Sequence, residues 1–160
     1  MKQRVYIETT IVSYLTAKPS KDLVLAAHQE VTREWWDRFR VGYDLRTSQL
    51  VLNEAGKGDP KAASQRLEAL EGILLLDVTD EAAALAQKLV KPGPFPDRAG
   101  MDALHMAVAT LHGMDILLTW NCRHLANGRM LVDVSRFIRT KGYEIPIVCT
   151  PDELMGDAGD

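Results

Sequence analysis

The chain has 160 residues, of which 46% are hydrophobic and 26% charged, as expected of a soluble globular protein with one proper core. A formal net charge of −3 argues against a nucleic-acid binder with a broad basic surface, but not against one that holds phosphate through metal ions. Cys122 and Cys149 lack zinc-site spacing, which favours reduced thiols in a cytoplasmic protein. We expect neither a signal sequence nor a membrane span, because no apolar run is long enough.

Short β-type runs alternate with helical patterns along the chain. In chain order the prediction is strand 4–7, helix 11–15, helix 22–40, strand 43–47, helix 49–54, helix 60–70, strand 73–78, helix 80–90, helix 98–112, strand 115–120, helix 129–141 and strand 145–149. The expected capping residues are Thr9 or Thr10, Ser48, Asp59 and Thr79. The alternation predicts one α/β domain over 1–155, with a mostly parallel sheet covered by helices, and a frayed tail over 156–160.

Three of these elements carry predictions about burial. The continuous apolar run 73–78 is typical of a buried strand in a parallel sheet, and Pro146 indicates an edge position for the last strand. The inward residues expected of helix 22–40 are Leu23, Ala26, Ala27, Val31, Trp35 and Phe39. The pair Trp35-Trp36 favours a core position, with a partner interface as the alternative for an exposed tryptophan.

The helix predicted over 98–112 is apolar almost all the way round, as is typical of a helix buried inside a domain. It nevertheless carries Asp102 and His105, whose spacing places them on one face. A carboxylate is rarely buried unless it is paired or binds a metal, so Asp102 is a candidate functional residue. A core histidine with its ring nitrogens satisfied is the simpler interpretation of His105, against a metal ligand or a general base.

Other polar residues are expected where the parallel strands end, which is where open α/β sheets bind ligands. Glu8 directly follows the first strand, Asn121 follows the fourth, and Glu54 comes shortly after the second. Converged carboxylates repel one another unless a cation or a raised pKa relieves them. Hard oxygen ligands favour Mg²⁺ or Mn²⁺. With Asp102, these residues therefore form a candidate metal site that suits a phosphodiester substrate.

Each of these residues also has an ordinary structural explanation. Glu8 and Asp102 can be acids stabilised by a helix dipole at its N-terminus. Glu54 can be a solvated helix residue, and Asn121 a turn residue. A small phosphatase or receiver-like domain is a further alternative, but it would need an aspartate nucleophile where this chain has Glu8.

Four stretches taken together resemble the PIN domain, and in particular the VapC-type toxin ribonucleases of bacterial and archaeal toxin–antitoxin pairs. They are Val5-Tyr6-Ile7-Glu8-Thr9-Thr10, Ser48-Gln49-Leu50-Val51-Leu52-Asn53-Glu54, Asp102-Ala103-Leu104-His105-Met106-Ala107 and Leu117-Leu118-Thr119-Trp120-Asn121. The order and spacing agree from about Val5 to Leu154. The resemblance implies a three-layer α/β/α sandwich and divalent-metal-dependent cleavage of RNA.

The resemblance also implies roles for individual residues. The implied metal ligands are Glu8, Glu54 and Asp102, with Asn121 where the family usually has a fourth acid. Thr9 and Thr119 become hydroxyl neighbours that order water or the bound phosphate. Arg123 or His124 would offset charge on the phosphate.

The chain departs from the family pattern at two positions. Glu8 stands where the family usually has aspartate, and it still presents a carboxylate on a longer arm. Asn121 keeps an oxygen ligand but removes one negative charge, which should weaken a second metal site more than the first. Asp97 is a candidate for a compensating carboxylate, from its proximity in the sequence alone.

The leading hypothesis is a cytoplasmic Mg²⁺- or Mn²⁺-dependent endoribonuclease, the toxin of a type II toxin–antitoxin pair. A metal-activated water would hydrolyse the RNA phosphodiester. The resemblance further implies an antitoxin that enters the acidic groove or packs on the early helices, and a homodimer. The competing hypothesis is a PIN-like module, weakened by Asn121, that binds RNA or protein without cleaving.

Overall fold

The computed structural model describes residues 1–156, in which strands and helices alternate in the predicted order. The strands are β1 (Arg4–Ile7), β2 (Asp44–Ser48), β3 (Leu74–Leu76), β4 (Ile116–Leu118) and β5 (Ile147–Cys149). The helices are α1 (Thr9–Thr16), α2 (Leu23–Glu34), α3 (Gln49–Ala55), α4 (Pro60–Leu70), α5 (Asp80–Val90), α6 (Gly100–Leu111) and α7 (Gly128–Thr140). The predicted domain limits of 1–155 remain a prediction, and residues 157–160 of the predicted frayed tail lie outside the described residues.

The strands form one parallel sheet in the order β3-β2-β1-β4-β5. The central strands β1 and β4 pair directly, with Tyr6 opposite Leu117 and Ile7 opposite Leu118. All four of these side chains are fully buried, because helices cover both faces of the sheet. α1 packs against α2, α3 and α4, while α5 packs against α6 and α7. The predicted three-layer α/β/α sandwich is therefore confirmed.

The prediction that the run 73–78 forms a buried strand was wrong. β3 covers only Leu74–Leu76, pairs with β2 on one side only, and leaves Leu74 62% and Leu75 47% exposed. A continuous apolar run is typical of a strand in a parallel sheet. Whether that strand is buried depends on its position in the sheet, and β3 lies at an edge. β5 is the opposite edge, as Pro146 indicated.

The helix predicted over 22–40 is shorter than expected, and its predicted inward face is only partly buried. α2 ends at Glu34, and a π-helical turn (Trp35–Phe39) and a 3₁₀ turn (Arg40–Gly42) follow it. Leu23, predicted to point inward, is 85% exposed, whereas Gln29 and Thr32 are buried. These polar side chains are buried because they are satisfied: Gln29 donates to the Lys18 carbonyl, and Thr32 Oγ1 donates to the His28 carbonyl.

Both tryptophans of this region are buried, Trp35 completely and Trp36 with 7% exposure. The core interpretation of the pair is confirmed, and a partner interface through an exposed tryptophan is wrong. The π-helical turn begins at Trp35, and the two indole rings lie next to each other with their centroids 6.4 Å apart.

Three of the four predicted helix caps are confirmed. The side chains of Ser48, Asp59 and Thr79 accept hydrogen bonds from the first turns of α3, α4 and α5. The cap of α1 is Glu8 instead of Thr9 or Thr10, because Glu8 is the extended residue at the helix start and its Oε2 accepts from Thr10 N. Both threonine hydroxyls are thereby free to reach other groups.

Across residues 1–156, the helices are too short or too polar for any of them to span a lipid bilayer.

Candidate active site

Glu8 lies at the carboxyl end of β1, where its main-chain N–H still donates to Leu118 O of β4. Its side chain is buried, with 4% exposure, and three donors satisfy it. Oε1 accepts hydrogen bonds from Thr10 Oγ1 at 2.6 Å and Thr119 Oγ1 at 2.5 Å, and Oε2 accepts from Thr10 N at 3.2 Å. These bonds offset the cost of burying the carboxylate.

Glu54 lies near the end of α3 and faces α1 and α6. Its Oε1 accepts a hydrogen bond from Thr9 Oγ1 at 2.9 Å and lies 2.6 Å from His105 Nε2. Burial raises the pKa of Glu54, but the hydrogen bonds from His105 and Thr9, with the nearby Lys57, lower it by more, so the net pKa is below its usual range. Glu54 is therefore a carboxylate at neutral pH.

Asp102 lies in the first turn of α6 and is held by the segment that follows β4. Its Oδ1 accepts from Asn121 Nδ2 at 2.9 Å, and its Oδ2 lies 2.8 Å from His124 Nδ1. Asn121 Oδ1 in turn accepts from the His124 main-chain N–H at 3.1 Å. The Asn121–His124 turn thus holds both oxygens of the Asp102 carboxylate.

Threonine hydroxyls connect Glu8 with the turn that holds Asp102, while Thr9 binds Glu54 separately. Thr10 Oγ1, bound to Glu8, accepts from Trp120 N at 2.8 Å, and Thr119 Oγ1, also bound to Glu8, accepts from Asn121 N at 2.9 Å. We call this set the acid network: Glu8, Glu54, Asp102, Thr9, Thr10, Thr119, Asn121, His105 and His124. At the carboxyl edge of β1 and β4 the predicted metal ligands thus form two hydrogen-bonded groups. One holds Glu8, Asp102 and Asn121, the other holds Glu54, and the two adjoin where Thr9 follows Glu8 in the chain.

Comparison with known proteins supports this architecture. No protein-family model and no curated protein matches the chain. Among solved structures, it is similar to a chain of VapBC2 from Rickettsia felis bound to a DNA fragment from their promoter, with a TM-score of 0.56 over 92% of this chain and 98% of that chain. This chain has a PIN-like fold. The identity to that structure is 14%, so the likeness concerns the fold.

Two residues to which the sequence analysis gave a role at the site lie apart from the acid network. Asp97 is 72% exposed and forms an ion pair with Lys91 at 3.3 Å, so the suggestion that it compensates for Asn121 was wrong. The reason is that residues 97–99 form a separate 3₁₀ turn before α6. Arg123 is exposed, and within residues 1–156 its guanidinium makes neither an ion pair nor a hydrogen bond.

Sequence reasoning missed Thr10 and Tyr6. Thr10 bridges Glu8 and Trp120, and the signal for it was a second hydroxyl residue directly after the strand-end acid. Tyr6 is fully buried in β1, and its hydroxyl bonds to Ser48 and His105. A tyrosine in a central strand signals a buried hydrogen-bond partner, because its hydroxyl must be satisfied there.

The donor set of the acid network fits a hard divalent cation in chemical type, since it consists of carboxylate and amide oxygens. Glu54 Oε2 receives no hydrogen bond from the described residues, and Asp102 has one acceptor position left on each oxygen. Within residues 1–156 there is no group of three acidic, histidine or cysteine side chains close enough together to hold a metal. Binding would therefore require the acidic side chains to move closer together than they lie in this structure.

Proposed function

We propose that this chain is a divalent-metal-dependent endoribonuclease, the toxin of a type II toxin–antitoxin pair. The observation that carries the proposal is the acid network, in which Glu8 and Asp102 are linked through Thr119 and Asn121 and Glu54 is held beside them by Thr9, at the carboxyl edge of the sheet in a PIN-like fold. The similarity in fold to a chain of VapBC2 supports it.

The metal would be Mg²⁺ or Mn²⁺, held by Glu8, Glu54 and Asp102 with Asn121 as a fourth oxygen donor. Such a cation activates water for attack on the phosphodiester and offsets charge on the leaving oxygen. Carboxylates are suited to this role only if they are ionised, and the lowered pKa of Glu54 satisfies that condition.

The other residues of the network hold and aim these ligands. Thr9, Thr10 and Thr119 fix the Glu8 and Glu54 carboxylates and can order water beside them. His124 and Asn121 fix Asp102. Arg123 lies two residues beyond Asn121, and its exposed guanidinium is available for the phosphate of the RNA.

The direct test is RNA cleavage with Mg²⁺ or Mn²⁺, compared with EDTA and with Asp102→Asn. We expect both treatments to lower the cleavage rate by at least about 100-fold, because each removes charge stabilisation from the reacting phosphate. Asp97→Asn is the matched control, since it neutralises an exposed aspartate outside the network. Cleavage that survives EDTA and Asp102→Asn would contradict the proposal.

A second candidate function is a PIN-like module that binds RNA or protein without cleaving. It is favoured by Asn121 and by the hydrogen bonds that already engage each carboxylate. Calorimetric titration with Mg²⁺ separates the two functions. RNA affinity without Mg²⁺ binding supports the binding module, whereas Mg²⁺ binding that Asp102→Asn abolishes supports the nuclease.

The proposed toxin would act in the cytoplasm, form a homodimer and bind a cognate antitoxin. An antitoxin packing on the early helices would find apolar surface at the start of α2, where Leu23 is 85% and Val24 66% exposed. Co-purification with the product of a neighbouring reading frame tests the partner, and Leu23→Glu with Val24→Glu tests the surface. If the double variant keeps both its partner and its cleavage activity, the antitoxin binds elsewhere.

A further inference from the structure

A buried chain of hydrogen bonds runs from the start of α3 to Glu54 near its end. Ser48 Oγ lies 2.8 Å from Tyr6 Oη, Tyr6 Oη lies 2.8 Å from His105 Nδ1, and His105 Nε2 lies 2.6 Å from Glu54 Oε1. Ser48 and Tyr6 are fully buried and His105 is 1% exposed. These hydrogen bonds therefore connect α3, β1 and α6 through the buried side chains of Ser48, Tyr6 and His105.

The donors and acceptors along this chain can be ordered in one direction. Glu54 Oε1 already accepts from Thr9 Oγ1, and its contact with His105 Nε2 is ordered in the same way if Nε2 carries the proton and donates it. In that tautomer Nδ1 is an acceptor, so the Tyr6 hydroxyl donates to Nδ1. The Tyr6 oxygen is then free to accept from the Ser48 hydroxyl. The side-chain polar atoms of Ser48, Tyr6 and His105 are thereby all satisfied.

This arrangement fixes the two oxygens of Glu54 in different roles. Oε1 takes the hydrogen bonds of His105 and Thr9, while Oε2 receives none from the described residues. Among the three acids of the network, Glu54 alone keeps one oxygen free of protein donors, since Glu8 and Asp102 are engaged at both oxygens. Oε2 is thus the carboxylate oxygen best placed to meet a ligand.

We propose that Tyr6 and His105 are positioning residues that hold Glu54 by Oε1 and present Oε2 to a divalent cation. This inference rests on the proposed function and adds two residues to it that contact no substrate. Partners that orient a ligand through a second hydrogen bond influence metal affinity by about 10- to 100-fold. The Ser48–Tyr6–His105 chain provides that support from the core.

The first experiment measures Mn²⁺ binding by electron paramagnetic resonance with the metal alone as the probe. Tyr6→Phe removes one hydroxyl, and we expect it to raise the Kd for Mn²⁺ about 10-fold. His105→Leu should raise it at least as much, and His105→Gln, which can keep an N–H donor toward Glu54, should restore part of the affinity. In cleavage assays Tyr6→Phe should lower kcat and leave KM for RNA unchanged.

Tyr43→Phe is the matched control, because it also removes one tyrosine hydroxyl, which here bonds to Leu154 O. Tyr43 directly precedes β2 and so lies at the amino edge of the sheet, opposite the acid network. We expect it to bind Mn²⁺ as the wild type does. Folded Tyr6→Phe and His105→Leu variants with wild-type Mn²⁺ affinity would overturn the positioning role alone. A wild type that neither binds Mn²⁺ nor cleaves RNA would overturn the proposed function and the assigned ligand of Oε2.

The second experiment needs neither metal nor RNA. Long-range ¹H–¹⁵N spectra of the histidine rings report which nitrogen of His105 carries the proton. We expect the Nε2–H tautomer in the wild type and in Tyr43→Phe, and a changed Nε2 signal in Glu54→Gln. A proton resting on Nδ1 instead would reverse the direction of the chain and overturn the inference, even if a variant failed to fold.

Discussion

At the scale of single residues, threonine hydroxyl groups satisfy the buried carboxylate of Glu8. Glu8 is buried at the end of β1, and the hydroxyls of Thr10 and Thr119 satisfy it. The hydroxyl oxygens of these two threonines also accept hydrogen bonds from the main-chain N–H groups of Trp120 and Asn121. A threonine can donate once and accept twice, which makes it suitable for joining an acid to a backbone turn.

Thr10→Val should therefore destabilise the protein. The change keeps the shape of the side chain but leaves Glu8 Oε1 and the Trp120 N–H each without one partner. We expect the free energy of unfolding in urea to fall by about 1–3 kcal/mol. Thr140→Val is the control, since that exposed hydroxyl bonds only to Phe137 O within α7. Equal losses in the two variants would show that the bridge contributes nothing.

The two cysteines should differ in reactivity. Cys149 is buried in β5, and burial, with the nearby Glu153 and Asp152, raises the pKa of its thiol to about 12. Cys122 is exposed, although burial of part of its surface and the same two acids also raise its pKa. Because the thiolate is the reactive form, raised pKa values slow alkylation at neutral pH.

Iodoacetamide at pH 8 should therefore modify Cys122 in the native protein and leave Cys149 unmodified. The rate at Cys122 should keep rising with pH beyond the usual thiol range, since its thiolate forms later than that of a free cysteine. Mass spectrometry locates the label, and in urea both thiols should react. Native labelling of Cys149 would show that β5 opens readily.

At the scale of elements, the ends of helices determine where the functional side chains point. Ser48 caps α3 and also bonds to Tyr6, so one hydroxyl starts the helix and anchors it to β1. Glu8 both ends β1 and caps α1, which leaves Thr9 and Thr10 free for the acid network. The connection between α5 and α6 is also held at a helix end, because Gly93 N donates a hydrogen bond to Lys88 O in the last turn of α5.

Gly93→Ala should be strongly destabilising. A Cβ at this position would meet the carbonyl oxygens of Leu89 and Lys88 more closely than real Cβ atoms approach, so the backbone after α5 must shift. We expect a loss of more than about 2 kcal/mol in the free energy of unfolding. Gly42→Ala provides the comparison, since nothing lies within 4 Å of its added Cβ. A Gly93→Ala loss as small as that of Gly42→Ala would contradict this packing.

At the scale of the whole molecule, the parallel sheet brings together acids that are far apart in the chain. Glu8 at the end of β1, Glu54 on α3 and Asp102 on α6 lie at the same edge of the sheet. If that edge binds a cation only in the folded state, the cation must stabilise the fold by mass action.

Mn²⁺ should therefore raise the stability of the wild type. At a concentration of about 100 times the Kd, the gain in the free energy of unfolding would be about 2.7 kcal/mol. Glu54→Gln should lose most of this gain, because it removes the carboxylate with the free oxygen, and Asp97→Asn should keep it. Thermal unfolding with and without Mn²⁺ measures the effect. An equal shift in Glu54→Gln would place the cation elsewhere.

The sequence by itself determined the order of strands and helices, the parallel sheet and most of the helix caps. These features follow from local patterns: apolar runs, helical spacing and capping residues. It also predicted that Glu8, Glu54, Asp102 and Asn121 lie at one edge of the sheet, because the strand ends converge there.

Only the tertiary structure decided which surfaces are buried and how the acids are satisfied. Leu23 and Leu74 are exposed and Gln29 is buried, because burial depends on which elements pack together and not on hydropathy alone. The Tyr6–His105–Glu54 contacts join residues that are far apart in the chain, so no local pattern predicts them. The hydrogen-bond partners of a buried carboxylate are a property of the packed core, and that packing fixes which oxygen of Glu54 stays free.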